Sequence, residues 1–107
     1  MAPPKPGLDR RSAQRLKRGQ MTIEGRLDLH GMTQAEAHRA LDQFIARAAI
    51  AKKRHLLVIT GKSGVLRAAV PRWLDKPELS GLVLAASEAQ PKDGGAGALY
   101  LLLRRQR

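Results

Sequence analysis

Two side chains suited to moving protons, Asp28 and His30, stand two residues apart in the stretch Leu27-Asp28-Leu29-His30-Gly31. An imidazole both gives and takes a proton near neutral pH, so His30 fits a general base or acid acting on a hydroxyl beside a scissile phosphate. Asp28 would then orient the ring or contribute to a metal site. A second stretch, Thr60-Gly61-Lys62-Ser63-Gly64, joins flexible glycines to a cation just before a helical pattern. Backbone amides at a helix amino terminus, with Lys62 beside them, make a phosphate seat. It is not a nucleotide-binding P-loop, being too short and carrying its lysine after the first glycine. Each stretch also has a plainer reading, as a capped and solvated strand end and as an ordinary strand-to-helix turn. The chain has no cysteine, which removes disulfides, thiolate ligands and cysteine nucleophiles together. One Asp and one His specify no protein metal cage, and the only cofactor entertained is a divalent magnesium or manganese ion.

Such residues need elements to hold them. Leu27 to His30 alternates apolar and polar side chains, as a half-buried strand does, so Leu27 and Leu29 face a core while Asp28 and His30 share the other side. Thr33-Gln34-Ala35-Glu36 has the form of a capping box and opens a helix. Along it Ala37, Leu41, Phe44, Ile45 and Ala48 form a stripe at helical spacing. His38 belongs on the surface of this helix and His55 at the entry of the next strand. Leu56-Leu57-Val58-Ile59 is a continuous apolar run, the pattern of a strand buried on both faces and parallel to the first. Val65, Leu66, Ala69, Val70, Trp73 and Leu74 continue at helical spacing, with Pro71 predicting a kink or a helix that starts there. Leu82 to Ala85 and Leu99 to Leu103 read as two further strands, joined by a flexible loop at Gly94 to Gly97. The order βαβαββ predicts an α/β (α+β) two-layer sandwich: a mixed four-stranded sheet with two helices over one face. Adjacent parallel first strands would bring Asp28 and His30 beside the Gly61–Gly64 loop at their carboxyl ends.

The 107 residues carry a net charge of +11, which points to a nucleic-acid partner, DNA or RNA. Residues 1–20 hold Lys5, Arg10, Arg11, Arg15, Lys17 and Arg18 against Asp9 alone, and read as a basic, mostly disordered arm before a domain at 21–107. Arg15, Lys17 and Arg18 are candidate phosphate contacts. A short helical turn from Ala13 to Arg18 is compatible with the spacing. One Phe, one Tyr and one Trp exclude an aromatic base-stacking platform. No apolar run reaches the length of a membrane span and none near the amino terminus resembles a signal peptide, so the expectation is a cytoplasmic chain with no membrane partner. Oligomeric state leaves no mark in the sequence.

Leu27-Asp28-Leu29-His30-Gly31-Met32-Thr33, then Ile59-Thr60-Gly61-Lys62 with Gly64-Val65-Leu66-Arg67, then Gly94-Gly95 and Gly97-Ala98-Leu99-Tyr100, closely resemble the small MutS-related (Smr) domain. The resemblance runs from about Arg15 to Arg105. It implies a βαβαββ sandwich similar to the carboxyl-terminal domain of bacterial translation initiation factor three. It also implies nucleic-acid binding and, as in several members, endonuclease activity on DNA by nicking or on RNA engaged by ribosomes. Carried over by position, Asp28 and His30 are the residues implicated in cleavage, Gly61, Lys62, Ser63 and Gly64 the glycine loop, and Arg67 a phosphate contact on the following helix. Two departures bear on activity and not on fold. Family loops often read His-Gly-Lys-Gly-x-Gly, one residue longer than Thr60 to Gly64, and a frequent His-Gly-Gly becomes Asp93-Gly94-Gly95. A non-catalytic nucleic-acid-binding module, or one that docks on ribosomes or repair complexes, therefore stands beside the endonuclease as an alternative.

Overall fold

The computed structural model describes residues 8–106; the first seven residues of the basic arm lie outside them. Ten elements follow in order: helix α1 (Leu8–Lys17), strand β1 (Gly25–Asp28), helix α2 (Gln34–Ile50), strand β2 (His55–Ile59), helix α3 (Val65–Leu74), the short helix α4 (Pro77–Ser80), strand β3 (Val83–Glu88), two single 3₁₀ turns (Pro91–Asp93 and Gly95–Gly97) and strand β4 (Ala98–Leu103). The sheet order is β1-β2-β4-β3. β1 runs parallel to β2, with Leu27 opposite Val58, whereas β4 is antiparallel to both β2 and β3. The mixed four-stranded sheet thus has the predicted connectivity.

β1 is half-buried in strict alternation, and the Leu29 amide carries its ladder one step further, onto the Ile59 carbonyl at 2.8 Å. At the start of α2 the capping box forms: the Thr33 hydroxyl accepts the Glu36 amide at 3.2 Å and the Glu36 carboxylate accepts the Thr33 amide at 2.9 Å. The bond from Thr33 holds the Glu36 carboxyl below its ordinary range. One face of the sheet, through Leu29, Leu56, Val58, Leu101 and Leu103, packs against Leu41 and Ile45 of α2, Val70 and Trp73 of α3, and Leu79 of α4. His38, expected on the helix surface, stacks on the Trp73 indole with ring centres 4.5 Å apart and joins α2 to α3. α3 starts at Val65 and runs on through Pro71, so no new helix begins at the proline; the pyrrolidine leaves the Arg67 carbonyl without an amide from residue 71.

The basic arm is the main correction. Residues 8–17 form a helix instead of a disordered tail, because Leu16, 1% exposed, closes a second core on the opposite face of the sheet with Leu57, Leu84, Tyr100 and Leu102. The sheet is consequently covered on both sides, with α1 over the face that the two-layer reading left open. Gly19, at φ +69°, lets the chain turn away at close range: a Cβ there would stand 2.8 Å from the Tyr100 hydroxyl. Gln90 Nε2 donates to the Lys17 carbonyl at 2.8 Å and Lys92 Nζ to the Gly19 carbonyl at 3.0 Å, so the carboxyl end of α1 is tied to the turn after β3. At the far end of the sheet, Glu24 Oε1 accepts the Arg54 amide, the His55 amide and His55 Nδ1 at 2.9, 3.1 and 3.0 Å, fastening the entries of β1 and β2.

Candidate functional site

The carboxyl ends of β1 and β2 lie side by side, with the β3–β4 connection beside them. Asp28 closes β1, and its Oδ1 accepts the His30 amide at 2.9 Å, an Asx-type turn that swings the chain toward α2. His30 Nδ1 lies 3.9 Å from the same oxygen, too far for a hydrogen bond, and both side chains are exposed. The imidazole is therefore held on a fixed turn yet open to a ligand.

The glycine loop is built against the β3–β4 connection. The Gly97 carbonyl accepts the Thr60 and Gly61 amides at 2.8 and 3.1 Å, and the buried Thr60 hydroxyl donates to the Gly61 carbonyl at 3.0 Å. Gly97 must be small: a Cβ would meet Gly61 C and Lys62 N at 3.1 Å each. Arg67 Nε donates to the Ala96 carbonyl at 3.1 Å, so the guanidinium is fixed across the first turn of α3. The stretch expected to be a flexible loop, Gly94 to Gly97, thus holds a 3₁₀ turn, Gly95–Gly97, directly after the turn Pro91–Asp93, and forms one wall of the site. Gly64 offers α3 no capping side chain, which leaves the amides of the first turn for an anion. Asp93 is engaged as well, since its carboxylate accepts the Tyr100 hydroxyl. Burial, reinforced by that bond, raises the Tyr100 phenol above its ordinary value.

Two open clefts flank the loop. One, of about 530 Å³, is lined by His30, Gly31, Met32 and Thr33 on one side and by Gly61, Lys62, Ser63 and Val65 on the other. The second, of about 490 Å³, lies between α3 and the β3–β4 edge, and shares Thr60, Lys62 and Ser63 with the first. Asp28, His30, Gly61, Lys62, Ser63, Gly64 and Arg67 are all gathered at this end. Arg15, Lys17 and Arg18 are exposed but line neither cleft; they sit on or just beyond α1, which covers the other face. Sequence reasoning missed the roles of Gly97, whose carbonyl positions the loop, of Ala96, whose carbonyl holds Arg67, and of Glu88, which lines the second cleft from β3. Only Gly97 left a signal, in the glycine-rich run. A magnesium or manganese ion would find Asp28 and an imidazole here, and no group of three or more His, Asp or Glu side chains able to hold a metal occurs among the described residues. By itself that pair is not a closed protein cage.

Residues 27–104 match the model of the Smr domain family. The chain belongs to the Smr domain family. Its fold agrees with the crystal structure of the Smr domain of Thermus thermophilus MutS2, at a TM-score of 0.66 and 34% identity over 75% of this chain and 98% of that one. It agrees also with YdaL, a stand-alone small MutS-related protein from Escherichia coli, at a TM-score of 0.72 and 29% identity over 94% of this chain and 80% of that one. Among curated relatives, the ribosome rescue factor SmrB of Yersinia pseudotuberculosis is 35% identical over 104 residues, covering 92% of this chain and 55% of its own length. SmrB of Vibrio vulnificus is 39% identical over 92 residues, covering 83% and 49%. This Smr chain thus spans about half the length of the curated relatives it matches. Among its described residues, no helix is long and apolar enough to cross a membrane.

Proposed function

We propose that this Smr domain binds RNA at the ribosome and cuts a phosphodiester bond of the strand it holds. The observation that carries the reading is the single cleft in which His30 faces Lys62 and the uncapped start of α3. A phosphate seated on the loop places its neighbouring ribose beside the imidazole. RNA is favoured over DNA because the SmrB relatives are named ribosome rescue factors, and because RNA carries its own nucleophile. His30 takes the proton of the 2′-hydroxyl, the 2′-oxygen bonds to phosphorus, and the bond from phosphorus to the 5′-oxygen breaks, the departing oxygen taking a proton from water. The products are a 2′,3′-cyclic phosphate and a 5′-hydroxyl. Lys62 and the first-turn amides of α3 hold the non-bridging oxygens as negative charge grows on them. Asp28 fixes the turn on which His30 sits.

The test is incubation of purified protein with structured RNA and with supercoiled plasmid, with and without magnesium, beside His30→Ala. RNA cleavage that vanishes in the variant supports the reading; cleavage unchanged by it ends the assignment of His30. Plasmid nicking would move the substrate to DNA. A second reading, a binding module without chemistry, is favoured by Asp93, which is held by Tyr100 where family members often carry a histidine. Tight, salt-sensitive binding with no cleavage would establish that one.

A further inference from the structure

The second cleft holds a carboxylate that a phosphate seat would reject. Glu88, at the end of β3, is exposed, takes no partner among the described residues, and lines the same cleft as Lys62 and Arg67. Beside a polyanion its charge repels, so the group that this cleft presents to Glu88 is an N–H donor and not a phosphate oxygen. The cleft's apolar lining comes from Ala68 and Pro71 of α3 with Ala98 and Leu99 of β4. Arg67 spends its Nε on the Ala96 carbonyl, which leaves its terminal nitrogens to donate into the cleft. A cleft that joins these apolar side chains to a guanidinium and an exposed carboxylate offers the groups that guanine needs. That base offers paired acceptors, O6 and N7, which suit arginine, and paired donors, N1–H and the 2-amino group, which suit a carboxylate.

Resting on the proposed function, we infer that this cleft reads an unpaired guanine in the bound strand, with Glu88 and Arg67 as its specificity-determining residues. The two clefts share Thr60, Lys62 and Ser63. A nucleotide whose phosphate lies on the loop therefore reaches the second cleft with its own base or its neighbour's. Adenine presents one donor group and no O6 acceptor, and uracil a single N–H, so each leaves one of the two charged side chains unmatched. The apolar lining residues contact the base without an aromatic partner, consistent with recognition of a single strand by its edges.

The experiment is fluorescence-anisotropy binding of the full chain to a short uridine oligonucleotide carrying one central guanine, and to the same strand with adenine or inosine in that place. A guanine preference of about tenfold over adenine is expected, the size of one good paired contact. Inosine, which lacks the 2-amino group, falls between them. Glu88→Gln, an exposed and nearly isosteric change, should bring guanine and adenine within about twofold of each other while adenine binding holds or rises slightly. Equal affinity for all three strands in the unaltered chain would overturn the inference and leave the proposed function standing. So would a Glu88→Gln variant that binds every strand more tightly by one factor, since Glu88 would then act by repulsion alone. Failure to bind any of these strands would remove the guanine site and the RNA reading together.

Discussion

The Asp28 oxygen that accepts the His30 amide at 2.9 Å is the one that lies 3.9 Å from the His30 ring nitrogen, so a single carboxylate both builds the turn and faces the imidazole. The two roles separate by substitution. His30→Ala should lower RNA cleavage by about 10²- to 10⁴-fold, the usual contribution of a positioned acid or base, with little change in affinity. Asp28→Asn keeps an acceptor for the amide and loses only the charge, so its defect should be smaller than that of Asp28→Ala, which loses the turn as well. Rates of the three variants on one RNA substrate check the order.

Binding should weaken steeply with salt, because each phosphate neutralised releases counterions. Lys62 lines both clefts, so Lys62→Ala should reduce affinity evenly across sequences and lower the slope of log K against log salt by about one. Titrations at several ionic strengths measure it.

Leu16 is the keystone of the second core, and Leu16→Ala should cost about 2–5 kcal/mol, the range for a buried leucine. Removing residues 1–20 uncovers Leu57, Tyr100 and Leu102 on that face. The truncated chain should therefore melt well below the full one and bind a hydrophobic dye, where a disordered arm would have left the melting temperature unchanged. Calorimetry of the two chains decides.

Glu24 gives the fold a dependence on acidity. The bond from the Arg54 amide is the chief cause of a carboxyl held below its ordinary value of 4.5, assisted by the bonds from His55. A depressed native pKa means that its stabilisation is whole above that ordinary value and fades as the pH falls through the lower native one. Glu24→Gln should melt at a lower temperature than the unaltered chain at neutral pH, and the gap should close in acid. Thermal melts across that range report it.

Tyr100 should ionise late. Burial raises the phenol, and the bond to Asp93 adds to it, so phenolate absorbance should appear above the ordinary value of 10. The stabilisation from the neutral phenol is whole below that value and is lost as the pH rises through the higher native one. Asp93→Asn should bring the titration part of the way back, since burial remains. Tyr100→Phe, which strips both Asp93 and the Gln90 amide of their partner, should cost about 1–3 kcal/mol.

Most of the sheet and two of its helices were legible because their signals are local. The capping box at Thr33, the apolar run at Leu56 to Ile59 and the strand ending in Asp28 each declare themselves within a few residues. α1 did not, because its place depends on a partner distant in sequence. A run of arginines around Leu16 carries the composition of a tail, and only the open sheet face at Tyr100 and Leu102 makes it a helix worth ordering. Ala86 and Glu88 were missed for a related reason: on an edge strand one side needs no apolar residue, so the pattern that marks a strand is blurred. The site followed the same rule. Asp28, His30 and the glycine loop could be named from their spacing, whereas Ala96 and Gly97 act through main-chain carbonyls, which side-chain identity does not announce.

The stacking of His38 on Trp73 has a practical side. The chain's one tryptophan lies in the layer of α2 and α3, and its one tyrosine in the layer beneath α1. Each side of the sheet thus carries its own native chromophore. Loosening of α1 would register in the near-ultraviolet signal of Tyr100 while the Trp73 emission stayed still, and separation of α2 from α3 would do the reverse. Without any label, unfolding of this domain can be followed layer by layer.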